Sequence, residues 1–200
     1  MTSLEHWVLA TSNRGKITEL TALFAAAGLP IRLSAQTELG VAAPAETAST
    51  FVENALTKAR HAARVTGLPA IADDSGLVVA ALGGAPGVLS ARFAGPHADD
   101  AGNVAKLLGL LAAERNRAAR FHCVLVALAR ADAPAPLIAS GSWAGEIAHA
   151  PSGSGGFGYD PVFFDRELGR TAAELAAAEK NRVSHRGTAL RRLVELLKNR

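Results

Sequence analysis

Apolar positions along the chain follow two rhythms, and the switches between them mark out alternating strands and helices. Trp7-Val8-Leu9-Ala10-Thr11 is a short unbroken run, the pattern of a buried strand. The period then lengthens: Ile17, Leu20, Phe24 and Ala27 share one face of a helix that Ser12 or Asn13 caps and Gly28 and Pro30 stop. Residues 31–35 predict a second short strand, and residues 38–48 have no period and read as a loop. Thr50-Phe51-Val52-Glu53 has capping-box spacing, and the helix it opens carries Phe51, Ala55, Ala59 and Ala62 on a small-residue face that ends near Gly67. Residues 70–72 and 77–79 are strand-like, so Asp73-Asp74-Ser75-Gly76 between them predicts a turn or kink.

Further on, residues 83–87 read as loop, and Asp99 and Asp100 cap a helix with Val104, Leu107, Leu108 and Leu111 at helical spacing. Residues 121–129 form the strongest strand pattern, and residues 137–147 pair with it across the Ala133-Pro134-Ala135-Pro136 turn. A glycine-rich loop over residues 152–160 leads to a helical C-terminus, whose final helix is capped by Ser184 and packs through Leu190, Leu193, Val194 and Leu197. No repeat or linker interrupts the chain, so residues 1–200 read as one α/β domain.

Composition narrows the class. Of the 200 residues, 49% are hydrophobic and 20% charged, the balance of a soluble globular protein, and the abundance of alanine points to closely packed helices. No window approaches 18 unbroken apolar residues, which argues against a membrane partner. Residues 1–6 are short and polar, without the features of a signal peptide. The single cysteine, Cys123, sits in an apolar run and reads as a small core residue, which suits a reducing, cytoplasmic setting. The net charge of +3 is mild, and much of it gathers in Lys180, Arg182, Arg186, Arg191, Arg192, Lys198 and Arg200. Such a helix is either a solvated face or a surface for nucleic acid; the lack of interleaved aromatics there argues against the second.

Candidate chemistry sits in a few clusters. At Thr11-Ser12-Asn13-Arg14-Gly15-Lys16 a strand meets a helix, whose unpaired N–H groups and positive dipole end suit an anion; ordinary capping with a solvated lysine is the other reading. The adjacent carboxylates of Asp73 and Asp74 need cations or donors to compensate them, so they suggest a divalent-ion site or a base for water, against a plain Asx-type turn. The rings of Phe157 and Tyr159 on a glycine loop suit stacking on a planar base, or simply tuck into the core. His185 and Arg186, with Lys180 nearby, open a helix where cations oppose the macrodipole, a conflict that asks for something negative opposite.

Together these segments resemble the inosine triphosphate pyrophosphatase family, most closely its bacterial dITP/XTP branch. The likeness rests on the ordered set LATSNRGK, TFVENALTKARHAA, LPAIADDSGLVVAALGGAPGVLSARFAG, ARFHCVLVALA, GSWAGEI, GSGGFGYDPVFF, TAAEL and EKNRVSHRGTAL. It implies an elongated mixed β-sheet with flanking helices, two lobes around a substrate cleft, and a homodimer. The activity it implies is Mg²⁺-dependent hydrolysis of aberrant purine nucleoside triphosphates such as ITP, dITP and XTP, giving the monophosphate and pyrophosphate. Thr11, Ser12, Asn13, Arg14, Gly15, Lys16 and Lys58 correspond to triphosphate contacts, Glu46 and Asp74 to the metal ligands, and Asp74 also to the catalytic base. Asp73 matches a supporting acid and Ser75 a substrate contact. Phe157, Gly158, Tyr159, Asp160, Lys180, His185 and Arg186 correspond to the nucleobase pocket. The family commonly has glycine where Ser12 stands, and a Cβ there restricts the backbone. A pyrophosphatase for other modified or ordinary nucleotides, and a basic nucleic-acid-binding module, are the competing readings.

Overall fold

The computed structural model describes residues 4–199; the first three residues of the polar N-terminal stretch and Arg200 of the basic C-terminal group lie outside them. The expected alternation is present. In chain order it comprises β1 (Glu5–Ala10), α1 (Arg14–Ala26), β2 (Ile31–Ala35), α2 (Phe51–Thr66), β3 (Ala70–Val79), α3 (Asp100–Leu110), β4 (Ala118–Leu128), β5 (Leu137–Ile147), β6 (Phe163–Asp165), β7 (Arg170–Thr171), α4 (Ala177–Val183) and α5 (His185–Lys198). The strands form one mixed sheet in the order β2-β1-β3-β4-β5-β6-β7, with β1 parallel to β2 and β3, and β6 antiparallel to β5 and β7. Among the described residues no helix is long and apolar enough to cross a membrane.

Local chemistry sets the element ends. The Asn13 side chain accepts the Lys16 N–H at the start of α1, Thr50 accepts the Glu53 N–H at α2, and Asp99 accepts the Gly102 N–H at α3. Gly67, with φ of 70°, takes the left-handed position that ends α2.

Several details differ from the sequence reading. The acidic segment 73–76 is not a turn: β3 runs straight through it. An extended chain sends successive side chains to opposite faces, so the two carboxylates separate, and each finds cations on its own side. β4 begins three residues before the apolar run because its first part alternates, with Ala119 and Phe121 buried and Ala118 and Arg120 exposed. Before the final helix the chain forms the short α4, and Ser184 (φ −67°, ψ 158°) is the extended residue between it and α5.

The chain makes two compact units. The first takes in the chain up to Asp74, Cys123–Gly141 and the chain from Arg186 onward; the second is Ser75–His122 and Ser142–His185. In the first unit the sheet is covered on both faces. Trp7, Leu9, Ile71, Cys123 and Leu125 pack with Leu20, Phe24, Leu190 and Leu193 of α1 and α5, whereas Val8, Ala10, Ala70, Ala72, Val124 and Val126 pack with Ala55, Ala59 and Ala62 of α2. Odd-numbered strand positions face one helix layer and even-numbered ones the other. The second unit gathers Leu77, Val79, Phe121, Trp143, Tyr159 and Phe163 against Val104 and Leu107 of α3.

Candidate active site

The parity of β3 decides what the acidic pair meets. Asp73 is an odd position, facing α1 and α5. Its carboxylate is fully buried and pairs with the Lys16 ammonium, with Arg186 Nε at 3.5 Å and with the Cys123 thiol, which donates at 3.1 Å. Arg186 in turn pairs with Glu19 of α1. Here is the negative charge that cations at the start of α5 require. Burial pushes the Asp73 carboxyl up, but Lys16, Arg186 and Lys58 outweigh it and hold it well below its ordinary value. Burial likewise pushes the Cys123 thiol up, helped by Asp73, so it stays a neutral donor.

Asp74, the even position, faces α2. Its Oδ1 accepts from Lys58 Nζ at 2.8 Å, and the same ammonium donates to Glu46 Oε1, also at 2.8 Å. The other carboxylate oxygen, Asp74 Oδ2, is buried with no hydrogen-bond partner. Burial raises the Asp74 carboxyl above its ordinary value despite Lys58 and Lys16. Lys58 shows the converse: burial lowers it, yet Asp74, Asp73 and Glu46 raise it further, so it stays charged.

Glu46 comes from the loop before α2, and α2 holds that loop. Asn54 accepts the Ala48 N–H at 3.1 Å and donates to the Ala48 carbonyl at 3.4 Å, while the His61 ring meets the Ala42 carbonyl at 2.9 Å. Lys58 lies one helical turn beyond Asn54, so one helix both anchors the loop and supplies the bridging ammonium.

These groups suit a hard cation. Two carboxylates share one ammonium, and one carboxylate oxygen is buried and unclaimed, an arrangement costly unless something positive or donating completes it. Among the described residues no three or more His, Cys, Asp or Glu side chains form a metal cage. Magnesium needs none, since it usually takes one or two carboxylates with substrate phosphates. Glu46 and Asp74 are the residues that could hold it.

The loop ahead of α1 lies in the same unit. Thr11 is buried, and its hydroxyl accepts the Asn13 N–H at 3.2 Å; Ser12, Asn13 and Arg14 are exposed, and Gly15 lies in the first turn of α1. Among the described residues no non-glycine has positive φ, so Ser12 does not occupy backbone space that demands glycine.

The second unit holds the other predicted group. Asp160 is buried and accepts from the Phe157 N–H at 2.8 Å and from Lys180 Nζ at 2.5 Å, while the Lys180 ammonium also lies 5.2 Å from the Phe157 ring centre. Gly156 sits at φ 72°, and a Cβ there would collide with the Asp160 carboxylate. Gly158 donates to Asp100 at 2.7 Å. The Tyr159 ring belongs to the apolar cluster, with its hydroxyl on the Ser90 carbonyl, and burial raises that phenol, with Asp100 adding to the effect. His185 is buried and stacks on Phe121 with ring centres 4.8 Å apart, and Ser75 is part-buried on β3. The predicted residues thus fall into three groups: Lys16, Asp73 and Arg186; Glu46, Lys58 and Asp74; and Phe157, Asp160 and Lys180. Sequence reasoning passed over Glu19 and Asn54. Glu19 could have been found from its place one turn after Lys16, on the same helix face. Asn54 carries no signal beyond its helix.

Comparison with known proteins is consistent across sequence and structure. The Ham1 family matches residues 7–196. The chain is 59% identical over 194 residues to a dITP/XTP pyrophosphatase of Pectobacterium atrosepticum, covering 96% of this chain and 98% of that protein. It is 58% identical to a dITP/XTP pyrophosphatase of Erwinia tasmaniensis, covering 98% and 96%. Among solved structures, a HAM1 protein from Coxiella burnetii superposes with a TM-score of 0.90 at 50% identity, covering 98% of this chain and 100% of that one. A nucleoside-triphosphatase / dITP/XTP pyrophosphatase from Mycobacterium abscessus gives 0.75 at 41% identity, covering 96% and 99%.

Proposed function

Because the chain belongs to the Ham1 family, we propose that it is a pyrophosphatase of aberrant purine nucleoside triphosphates. In this reading ITP, dITP and XTP are hydrolysed between the α and β phosphates, giving the monophosphate and pyrophosphate. The observation that carries the reading is the buried, unclaimed Asp74 Oδ2 beside an ammonium shared with Glu46. Such an oxygen is suited to a cation or to an attacking water. The names of the P. atrosepticum and E. tasmaniensis relatives support the substrate class.

Each group then takes a role. The start of α1, with Thr11, Ser12, Asn13, Arg14, Gly15, Lys16 and also Lys58, takes the polyphosphate charge. Asp73 holds Lys16 and Arg186 in place, a supporting acid that stays ionised. Asp74 orients or deprotonates the water, a task favoured by a carboxyl raised above its ordinary value. Glu46 and Asp74 would hold Mg²⁺, which would supply charge neutralisation at the phosphates. Ser75, Phe157, Gly158, Tyr159, Asp160, Lys180, His185 and Arg186 serve the nucleoside. Hypoxanthine and xanthine carry an oxygen at C6 where adenine carries an amino group, so donors such as Lys180 favour them.

Burial of Lys180 and Arg186 in ion pairs removes two of the cations a nucleic-acid surface would need, which favours the enzyme. A cytoplasmic homodimer acting without nucleic acid or membrane belongs to the same reading, and sedimentation checks the assembly. The test of the function is pyrophosphate release from ITP, dITP, XTP, dGTP, dATP and dUTP, with and without magnesium. The reading expects the first three to be turned over far faster, and only with the metal. Equal turnover of dUTP or dGTP would reassign the enzyme to another nucleotide class.

A further inference from the structure

Ser90 sits in the 3-10 segment Gly87–Arg92 of the second unit, buried, and its polar atoms tie three pieces of chain together. Its hydroxyl accepts the Leu77 N–H of β3 at 2.9 Å and donates to the Gly87 carbonyl at 2.6 Å. Its own carbonyl accepts the Tyr159 hydroxyl at 2.8 Å. Tyr159 and Leu77 are thereby linked through one residue that carries no charge and is not among the groups assigned to phosphate, metal or base. An N–H within a strand and a phenol within an apolar cluster both need partners; the Ser90 hydroxyl satisfies the first and its backbone carbonyl the second.

We propose that Ser90 is a positioning residue for nucleobase recognition: through the Tyr159 hydroxyl it fixes the glycine loop that carries Phe157 and Asp160, and through Leu77 it ties that loop to the strand bearing Ser75. The inference rests on the assignment of residues 157–160 to the base. A loop with several positive-φ glycines, among them Gly153, Gly156 and Gly158, has many alternative shapes. Held in one shape beforehand, it binds without an ordering cost; released, it must be ordered by the ligand. The consequence falls on binding and on discrimination between bases, because the lysines and carboxylates of the first unit are untouched.

The test compares Tyr159→Phe, Ser90→Ala and Ser90→Thr in KM and kcat for dITP and dGTP, in equilibrium binding of dITP, and in unfolding midpoint. Loss of a neutral hydrogen bond corresponds to about a three- to tenfold change. Tyr159→Phe, which removes the bond to the Ser90 carbonyl, is expected to raise KM and Kd for dITP by about that factor, with kcat shifted less than about threefold and preference for dITP over dGTP reduced. Ser90→Ala keeps that carbonyl and releases the Leu77 and Gly87 contacts, so it is expected to move the same quantities in the same direction but less. Ser90→Thr, which keeps the hydroxyl, is expected to restore most of the binding. The double variant is expected to fall no further than the worse single, since the Ser90 hydroxyl and the Ser90 carbonyl are successive joints in one connection from Leu77 to Tyr159. Unchanged binding and selectivity in folded Tyr159→Phe, or a fall in kcat alone, would overturn the proposal. If the wild-type chain binds dITP without releasing pyrophosphate, the functional reading fails while the binding series still judges Ser90.

Discussion

Replacing Lys58 with methionine isolates the charge at the centre of the site. The side chains of Lys58 and Asp74 are each only 7% exposed, whereas Glu46 is 28% exposed. Methionine keeps much of the packed stem and removes the ammonium, leaving Asp74 with neither oxygen compensated. Removing one partner of a buried pair costs about 3–5 kcal/mol, and screening at the more exposed Glu46 trims its share. Asp74 can also escape by taking up a proton, which its already raised carboxyl makes easier, so about 2–4 kcal/mol is expected at pH 7. For a chain of this size that corresponds to a drop in Tm of roughly 4–16 °C. The deficit should shrink as pH falls and Asp74 takes up a proton. Millimolar magnesium should raise the variant's midpoint more than the wild type's, since a cation can take over the vacated charge. Urea and thermal unfolding across pH, with EDTA or magnesium, measure all three. A variant as stable as wild type at pH 7, with a difference that ignores both pH and metal, would refute the reasoning.

Other perturbations test separate parts of the account. Asp73→Asn removes a carboxyl held below its ordinary value, whose stabilisation is complete above about pH 4 and is lost as pH falls further. Urea unfolding should therefore show the gap between wild type and variant widest above that pH and closing below it. Gly156→Ala puts a Cβ at positive φ and against the Asp160 carboxylate, so it should cost at least about 1 kcal/mol and raise KM for dITP, read by denaturant melts and steady-state kinetics. Ser12→Gly should leave KM within about threefold of wild type, because Ser12 already holds an unstrained backbone; the same kinetics check it.

Much of the fold was legible because its signals are local. The apolar rhythm located every helix and strand of the first unit, and the Thr50 and Asp99 caps sit where their residue types placed them. The acidic segment misled because its sequence is that of a turn, and only the cations brought from α1, α2 and α5 make a continuous strand affordable there. The short strands β6 and β7 carried no periodic signal; each is held by pairing with its neighbour. At the site, the conflict of cations at the start of α5 foretold an acidic partner but not its identity. Glu19 left one signal, its place a turn after Lys16, whereas Asn54 and Ser90 act through contacts made only after folding, and nothing in their own surroundings in the sequence distinguishes them.

The most direct test of the whole account is pyrophosphate release from dITP by Asp74→Asn, measured beside equilibrium dITP binding by the same protein. The amide keeps the shape and a hydrogen-bonding oxygen but can neither take a proton from water nor offer a second anionic oxygen to a metal. The account predicts a fall in kcat of about a hundredfold or more, with binding changed by less than about tenfold. Turnover close to wild type, in a folded protein that binds the nucleotide, would contradict it.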